Sequence, residues 1–290
     1  MAIEIIAEVG ECFNGCLETA FNMIAEAAKS GCDTVKFQIL DMKELSKSDP
    51  EYEWFKKITL SKDDIEKLII CAEDNGVACL FTPVSIDTAQ MMVDLGCKRV
   101  KIASSFIGKK DLIDFIEKHF DEVIVSTGMA DLKQVNDVFH KFSSTMKVSI
   151  LHCVSEYPTG PLLEMRGLQA LNEDDVHLQM MSILTNLFPN IDIGYSDHTD
   201  GILAPVVAAA MGAKIIEKHF TLDRKTPIDN YYNKGCYMGT DHVLSLEPEE
   251  LKTMVELIRR TERIRGDYSW QRSPGEKILL DFLTNRYKER

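Results

Sequence analysis

Short apolar runs rich in Ile and Val alternate with longer stretches whose apolar residues recur at helical spacing, and the alternation repeats along most of the chain. The short runs read as buried strands and the longer stretches as amphipathic helices. Strands are expected at Ile3 to Ala7, Thr34 to Phe37, Val77 to Phe81, Arg99 to Ile102, Glu122 to Val125, Val148 to Leu151, Asp192 to Tyr195 and Lys214 to Glu217. Between the first two, Cys16 to Lys29 places Leu17, Ala20, Phe21, Ile24 and Ala28 on one stripe, and Gly31 follows as a C-terminal cap. Ser61-Lys-Asp-Asp64 gives an N-cap with acids in the first turn of a helix running to about Asn75. Further helices are expected over Ile86 to Leu95, Asp111 to Lys118, Leu132 to Phe142, Ile202 to Gly212 and, opened by Pro248, to Arg265. Residues 161 to 188 hold one or two more. The polar stretch up to Thr59 and the Tyr/Asn/Gly-rich stretch 225 to 243 read as loops.

Eight strand–helix units in one domain-sized length are the arithmetic of a single-domain α/β protein with a (β/α)8 (TIM) barrel. An open doubly wound sheet competes, but it would offer a Gly-rich dinucleotide turn after the first strand. Gly10-Glu-Cys-Phe-Asn-Gly15 lacks that spacing, and no P-loop is present. The barrel is expected over residues 1–268, with 269–290 a linker-like tail.

Composition narrows the function. A chain of 290 residues with a net charge of −13 is a poor partner for nucleic acid or an anionic membrane surface. No apolar run reaches membrane-spanning length, and the acidic N-terminus is no signal peptide. The eight cysteines lack zinc-knuckle spacing; Cys71, Cys79 and Cys153 read as small core residues, and reduced thiols in a cytoplasmic protein are expected.

Polar residues gather just where strands end. Successive strands contribute Glu8; Lys36 and Gln38; Thr82; Lys101 and Ser104; Ser126; Ser155 with Tyr157 beyond; Ser196 and His198; Glu217 and His219. Strand C-termini meet at one rim of a barrel, where active sites sit. Lysines beside hydroxyls suit a phosphate or carboxylate, since both donate to anionic oxygens. Side chains alternate along a strand, so Glu217 and His219 share a face and Lys218 points away. His198 and His219 on adjacent strands fit a divalent-metal site; two unrelated surface histidines fit the spacing as well.

Ala7-Glu-Val-Gly10, Val35-Lys-Phe-Gln38, Phe81-Thr-Pro83, Lys101-Ile-Ala-Ser104, Ser126-Thr-Gly-Met129, Leu151-His-Cys153 with Tyr157-Pro158, Gly194-Tyr-Ser-Asp-His-Thr199, Ile216-Glu-Lys-His-Phe-Thr221 and Thr240-Asp-His-Val-Leu-Ser-Leu246 resemble, in order, the motifs of the sialic acid synthase family. The resemblance implies a barrel that condenses phosphoenolpyruvate with an open-chain amino-sugar aldehyde, aided by Mn2+ or Mg2+. It implies His198 and His219 as metal ligands and Glu217 beside the metal. Lys36, Thr82, Lys101, Ser104, Ser126 and Ser196 would hold phosphoenolpyruvate, with Gln38 and Ser155 also on the substrates. Glu8, Tyr157 and Asp241 would face the sugar or the reacting centre. A homodimer is implied too.

Two departures stand out. The family pattern Gly-x-Asn-His-x-Gly is Gly10-Glu-Cys-Phe-Asn-Gly15 here, which would put Cys12 and Phe13 on the sugar side, and Ser155 replaces an Asn common in relatives. Family members usually continue into an antifreeze-like domain; Ser273-Pro-Gly-Glu-Lys277 resembles the linker to it. Tyr231, Tyr232 and Tyr237 make residues 225 to 243 a candidate sugar lid. Two other activities remain open: an aldolase with Lys101 or Lys36 as Schiff-base nucleophile, and a non-catalytic sugar-phosphate binding barrel.

Overall fold

The computed structural model describes residues 2–142, 146–160, 163–164, 167–235, 237, 239–266 and 270–287. The strands are β1 (Glu4–Glu8), β2 (Thr34–Ile39), β3 (Ala78–Pro83), β4 (Arg99–Ile102), β5 (Glu122–Ser126), β6 (Lys147–Cys153), β7 (Asp192–Asp197) and β8 (Ile215–His219). All the registered pairs are parallel, in the order β3-β2-β1-β8-β7-β6-β5-β4. β3 and β4, the two ends of that order, lie side by side and bring the sheet round into a TIM barrel. Most strands run one or two residues further toward the C-terminal rim than the apolar runs suggest. Polar residues such as Glu8, Ser126 and His219 are therefore in the ladder, not beyond it.

The helices are α1 (Leu17–Lys29), α2 (Tyr52–Lys57), α3 (Lys62–Asp74), α4 (Ile86–Asp94), α5 (Lys110–His119), α6 (Leu132–Phe142), α7 (Gln179–Leu187), α8 (Leu203–Met211), α9 (Lys225–Lys234), α10 (Pro248–Arg265) and α11 (Pro274–Tyr287). The start of α3 is fixed by a capping box in which Ser61 and Asp64 each bond the other's backbone N–H. Apolar stripes of the ring helices, such as Leu112, Ile113 and Ile116 of α5, pack on the outward faces of the strands in one continuous core. Each such buried side chain contributes about 1.5–3 kcal/mol.

Inside the barrel the side chains are layered. Glu4, Thr34 and Arg99 close the bottom, with Arg99 forked onto Glu4 by two 2.6 Å bonds. Ile6, Leu80, Ile124, Leu151 and Ile215 form a dry layer above them. The next inward positions along β1, β2 and β8 are Glu8, Lys36 and Glu217. The apolar layer thus separates the charged rim from the polar bottom.

Two expectations are corrected. The stretch before Thr59 contains α2, whose Trp54 is buried. Residues 225 to 243 are not an irregular loop: Lys225–Lys234 is helical and ends on Gly235 in the left-handed conformation. The tail is helical over Pro274–Tyr287 and buries no side chain. The expected boundary at 268/269 falls outside the described residues. Among the described residues no helix is long and apolar enough to cross a membrane.

Candidate active site

The inward residues at the strand ends line one cavity of about 460 Å3 at the C-terminal mouth. Glu8, Lys36, Gln38, Lys101, Ser104, Ser126, Ser155, Tyr157, Ser196, His198, Glu217, His219 and Asp241 all face it, so the structure brings together thirteen of the fourteen expected site residues. Thr82 is the exception: it is fully buried beneath the cavity and accepts a 3.4 Å hydrogen bond from Lys36 Nζ. It steadies the lysine and does not line the cavity.

Two buried lysines form the floor. Lys36 Nζ lies 2.8 Å from Glu8 Oε2 and 3.5 Å from Glu217 Oε2. Lys101 Nζ donates to Ser126 Oγ at 2.6 Å and lies 3.5 Å from Glu217 Oε1. Glu217 is thus clasped between two ammoniums, and Ser196 Oγ donates to its Oε1 at 2.8 Å. Burial alone would raise the Glu217 carboxyl, but Lys101, Lys36 and the Ser196 bond outweigh it and bring it down to about 2. Burial dominates at Glu8 and pushes it up to about 7, against the pull of Lys36. Burial also lowers Lys101, whereas at Lys36 the Glu217 and Glu8 charges overcome burial and raise it.

The two imidazoles stand side by side, with ring centroids 5.3 Å apart. His198 Nδ1 is bonded to the Val154 carbonyl at 3.0 Å, which turns its other nitrogen toward the cavity. His219 Nδ1 is buried with no hydrogen-bond partner and lies 3.6 Å from Asp241 Oδ2. Burial keeps both rings neutral: His198 is lowered to about 4 and His219 to about 3. Neutral rings, one held by a backbone carbonyl and one with an orphaned nitrogen, are a fitting donor pair for a divalent cation. Among the described residues no third His, Cys, Asp or Glu completes a protein-only ligand set. The remaining positions would fall to water or substrate oxygens.

Asp241 enters from the turn Asp241–Leu244, far along the chain from β1. Its Oδ1 accepts from Tyr157 OH at 3.0 Å and its Oδ2 from the Glu11 N–H at 3.0 Å. Gly10 makes this possible: its φ is +51°, and a Cβ there would lie 2.1 Å from Asp241 Oδ2. Tyr157 also stacks on His198 at 5.6 Å.

Some expected neighbours are not at the site. Cys12 and Phe13 do not face the sugar side. Both are buried in the core, Phe13 edge-on to Phe37 and Cys12 against Ser245. The sequence explains this only in hindsight, because the turn at Gly10 directs residue 11, not 12 or 13, into the cavity. The tyrosines of the expected lid are elsewhere too: Tyr232 bonds Glu164, and Tyr237 packs on Trp54 and donates to Glu51. Conversely, Cys153, read as core, lines the cavity. Cys71 and Cys79 are only partly buried. Glu11, Asp41, Glu44 and Phe55 also line the cavity; they come from turn, loop or α2 positions that no strand periodicity marks.

An eight-stranded parallel barrel with buried lysines, serines and paired imidazoles at its C-terminal mouth is a TIM barrel with a polar cavity at the end where barrel active sites sit. The chain belongs to the NeuB family, which it matches over residues 23–269. It is 36% identical over 279 residues to an uncharacterized protein of Methanocaldococcus jannaschii, covering 95% of this chain and 74% of that one. It is 32% identical to the N,N'-diacetyllegionaminic acid synthase of Legionella pneumophila, covering 96% of this chain and 77% of that one. The structure of an N-acetylneuraminic acid synthetase from Leptospira borgpetersenii superposes with a TM-score of 0.86 at 28% identity, covering all of this chain and 94% of the other.

Proposed function

We propose that this protein condenses phosphoenolpyruvate with an amino-sugar aldehyde to give a nonulosonic acid and inorganic phosphate. The observation that carries the proposal is the shared cavity: two buried lysines with three serines on the floor, and two neutral imidazoles beside them. The names of similar proteins support the same reading.

Lys36 and Lys101 oppose the carboxylate and phosphate of phosphoenolpyruvate, and the hydroxyls of Ser104, Ser126 and Ser155 donate to its oxygens. Glu217 stays ionised and holds both ammoniums in place, so its role is positioning rather than proton transfer. His198 and His219 would hold a divalent cation, which supplies Lewis-acid polarisation of the aldehyde oxygen. C3 of phosphoenolpyruvate attacks the aldehyde carbon, forming the C–C bond and leaving positive charge at C2. Glu8, with its carboxyl at about 7, carries a proton near neutrality and gives it to the new alkoxide oxygen. It then takes a proton from the water that adds at C2, and phosphate leaves by C–O cleavage. Tyr157 and Asp241 hold the sugar end, with Gln38 fixing Glu8 through a 3.3 Å bond. A homodimer is part of the same proposal, to be measured by light scattering.

The test is phosphate release from phosphoenolpyruvate with a panel of amino-sugar aldehydes and Mn2+ or Mg2+, with the product mass measured. Release that depends on aldehyde and metal, with a product heavier than the sugar by one pyruvate unit, is expected. A second reading, a Schiff-base aldolase, is favoured by one observation: burial lowers Lys101. Borohydride trapping with pyruvate separates the two, because only the aldolase acquires a covalent adduct.

A further inference from the structure

The two imidazoles are not held in the same way. His219 is the last residue of β8, and the ladder fixes its backbone opposite Glu8 of β1. His198 lies one residue beyond β7, which ends at Asp197, so the strand does not fix it. Side chains on the outward face of the barrel take over there. Asp197 and Lys218 stand opposite each other across β7 and β8, both fully buried, with Lys218 Nζ 2.6 Å from Asp197 Oδ2. Each oxygen of Asp197 takes two donors. Oδ1 accepts from Tyr195 OH at 2.7 Å and from the Thr199 N–H at 3.1 Å. Oδ2 accepts from Lys218 and from Thr199 Oγ1 at 3.0 Å. Lys218 Nζ also donates to the Thr199 carbonyl. Three of these five bonds grip Thr199, the residue directly after His198. The His198 ring itself is tied through Nδ1 to the Val154 carbonyl at 3.0 Å.

A buried ion pair is a poor way to add stability, because desolvation of both charges offsets their attraction and two apolar side chains of similar volume serve as well. Apolar side chains could not, however, hold the N–H, hydroxyl and carbonyl of Thr199. A divalent cation tolerates errors of only about 0.2 Å in its ligand distances, so a ligand carried on a turn needs such a hold. We propose that Lys218 and Asp197 are positioning residues: from outside the barrel they clamp the turn carrying His198 to the strand carrying His219, and so set the separation of the two imidazoles for a divalent cation. Neither touches the substrates or the cation; both act through His198. This rests on the metal-site part of the reading given above and adds to it the residues that hold the site in shape.

The experiment is calorimetric titration of Mn2+ into the metal-free protein, with urea denaturation of the same samples. Lys218→Met, the double variant Lys218→Met/Asp197→Leu and Thr199→Val are compared with the wild type. Lys218→Met should lose both stability and Mn2+ affinity. In the double variant no charge is stranded, so most of the stability should return. Its Mn2+ Kd should nevertheless stay raised by about tenfold to a hundredfold, because the clamp on Thr199 is gone. Thr199→Val keeps the ion pair and drops only the hydroxyl bond, and should raise the Kd by about threefold. Phosphoenolpyruvate should bind within about twofold of wild type throughout, since Lys36 and Lys101 stand on β2 and β4, a split that a general loss of structure would not produce. A double variant that binds Mn2+ as tightly as the wild type, or that loses phosphoenolpyruvate to the same extent as Mn2+, overturns the proposal. Should neither Lys218 variant fold, Thr199→Val decides: a raised Kd supports the clamp and an unchanged one overturns it. A wild type that binds no Mn2+ overturns it as well, while phosphate release from phosphoenolpyruvate tests the condensation independently.

Discussion

Lys36 Nζ lies 2.8 Å from Glu8 Oε2, across the β1–β2 pair, with both side chains buried. The lysine therefore arrives at the cavity already charge-paired, and an anionic substrate must compete with Glu8 for it. A carboxyl raised to about 7 is a weak competitor, since it gives up its charge near neutrality.

Replacing Lys101 by Met should raise the phosphoenolpyruvate KM by about tenfold or more, or abolish turnover, with the sugar KM unchanged. Steady-state kinetics with each substrate varied in turn measures this. An effect confined to the sugar KM would contradict the division of the cavity.

His198→Gln and His219→Gln should each remove metal-dependent phosphate release while the circular dichroism spectrum stays native, because rim side chains carry little packing. Mn2+ titration by calorimetry is the direct readout. Tight binding surviving in the double variant would rule out these two residues as the ligands.

Lys218 and Asp197 form a fully buried pair at 2.6 Å on the outward side of β7 and β8, and Lys218 also bonds the Thr199 carbonyl. Lys218→Met strands the Asp197 charge and should cost about 3–5 kcal/mol in urea denaturation. Loss of under about 1 kcal/mol would show that Asp197 is satisfied without it.

His242 is buried, bonded to Thr221 at 2.9 Å and to Asn14 at 3.1 Å, and burial lowers it from 6.5 to about 4. Between those values the unfolded chain binds a proton that the folded chain refuses. The stability it contributes is therefore complete above pH 6.5 and is lost as pH falls toward 4, by about 1.4 kcal/mol per pH unit. Denaturation of the wild type and His242→Gln at pH 7.5 and pH 5 should give a shallower pH dependence for the variant. Parallel dependences would remove His242 from the acid response.

Most of the fold was legible because each strand and helix carries its own local signal. Apolar runs such as Val123 to Val125 and stripes such as Leu112, Ile113 and Ile116 mark their elements regardless of what they pack against. Strand ends were read short because Glu8, Ser126 and His219 are polar; they remain in the ladder since their side chains point into a lined cavity and not into apolar packing. Helix α9 was hidden by its Tyr/Asn-rich composition, and only the left-handed Gly235 at its end betrays it.

By itself, the sequence determined the alternation of strands and helices, the barrel, and the polar strand ends, since these depend on residue type and on periods of 2 and 3.6. It also placed Glu217 and His219 on one face and Lys218 on the other. Tertiary structure alone decided which of those polar groups meet. Lys36 and Lys101 lie on strands separated in the chain, yet both close on Glu217. Asp241 reaches Tyr157 and the Glu11 N–H only because Gly10 turns the chain with no side chain in the way. Thr82 was drawn under the cavity, Cys12 and Phe13 into the core, and Glu11 into the open, by turn geometry and close packing between distant segments, which no local pattern encodes.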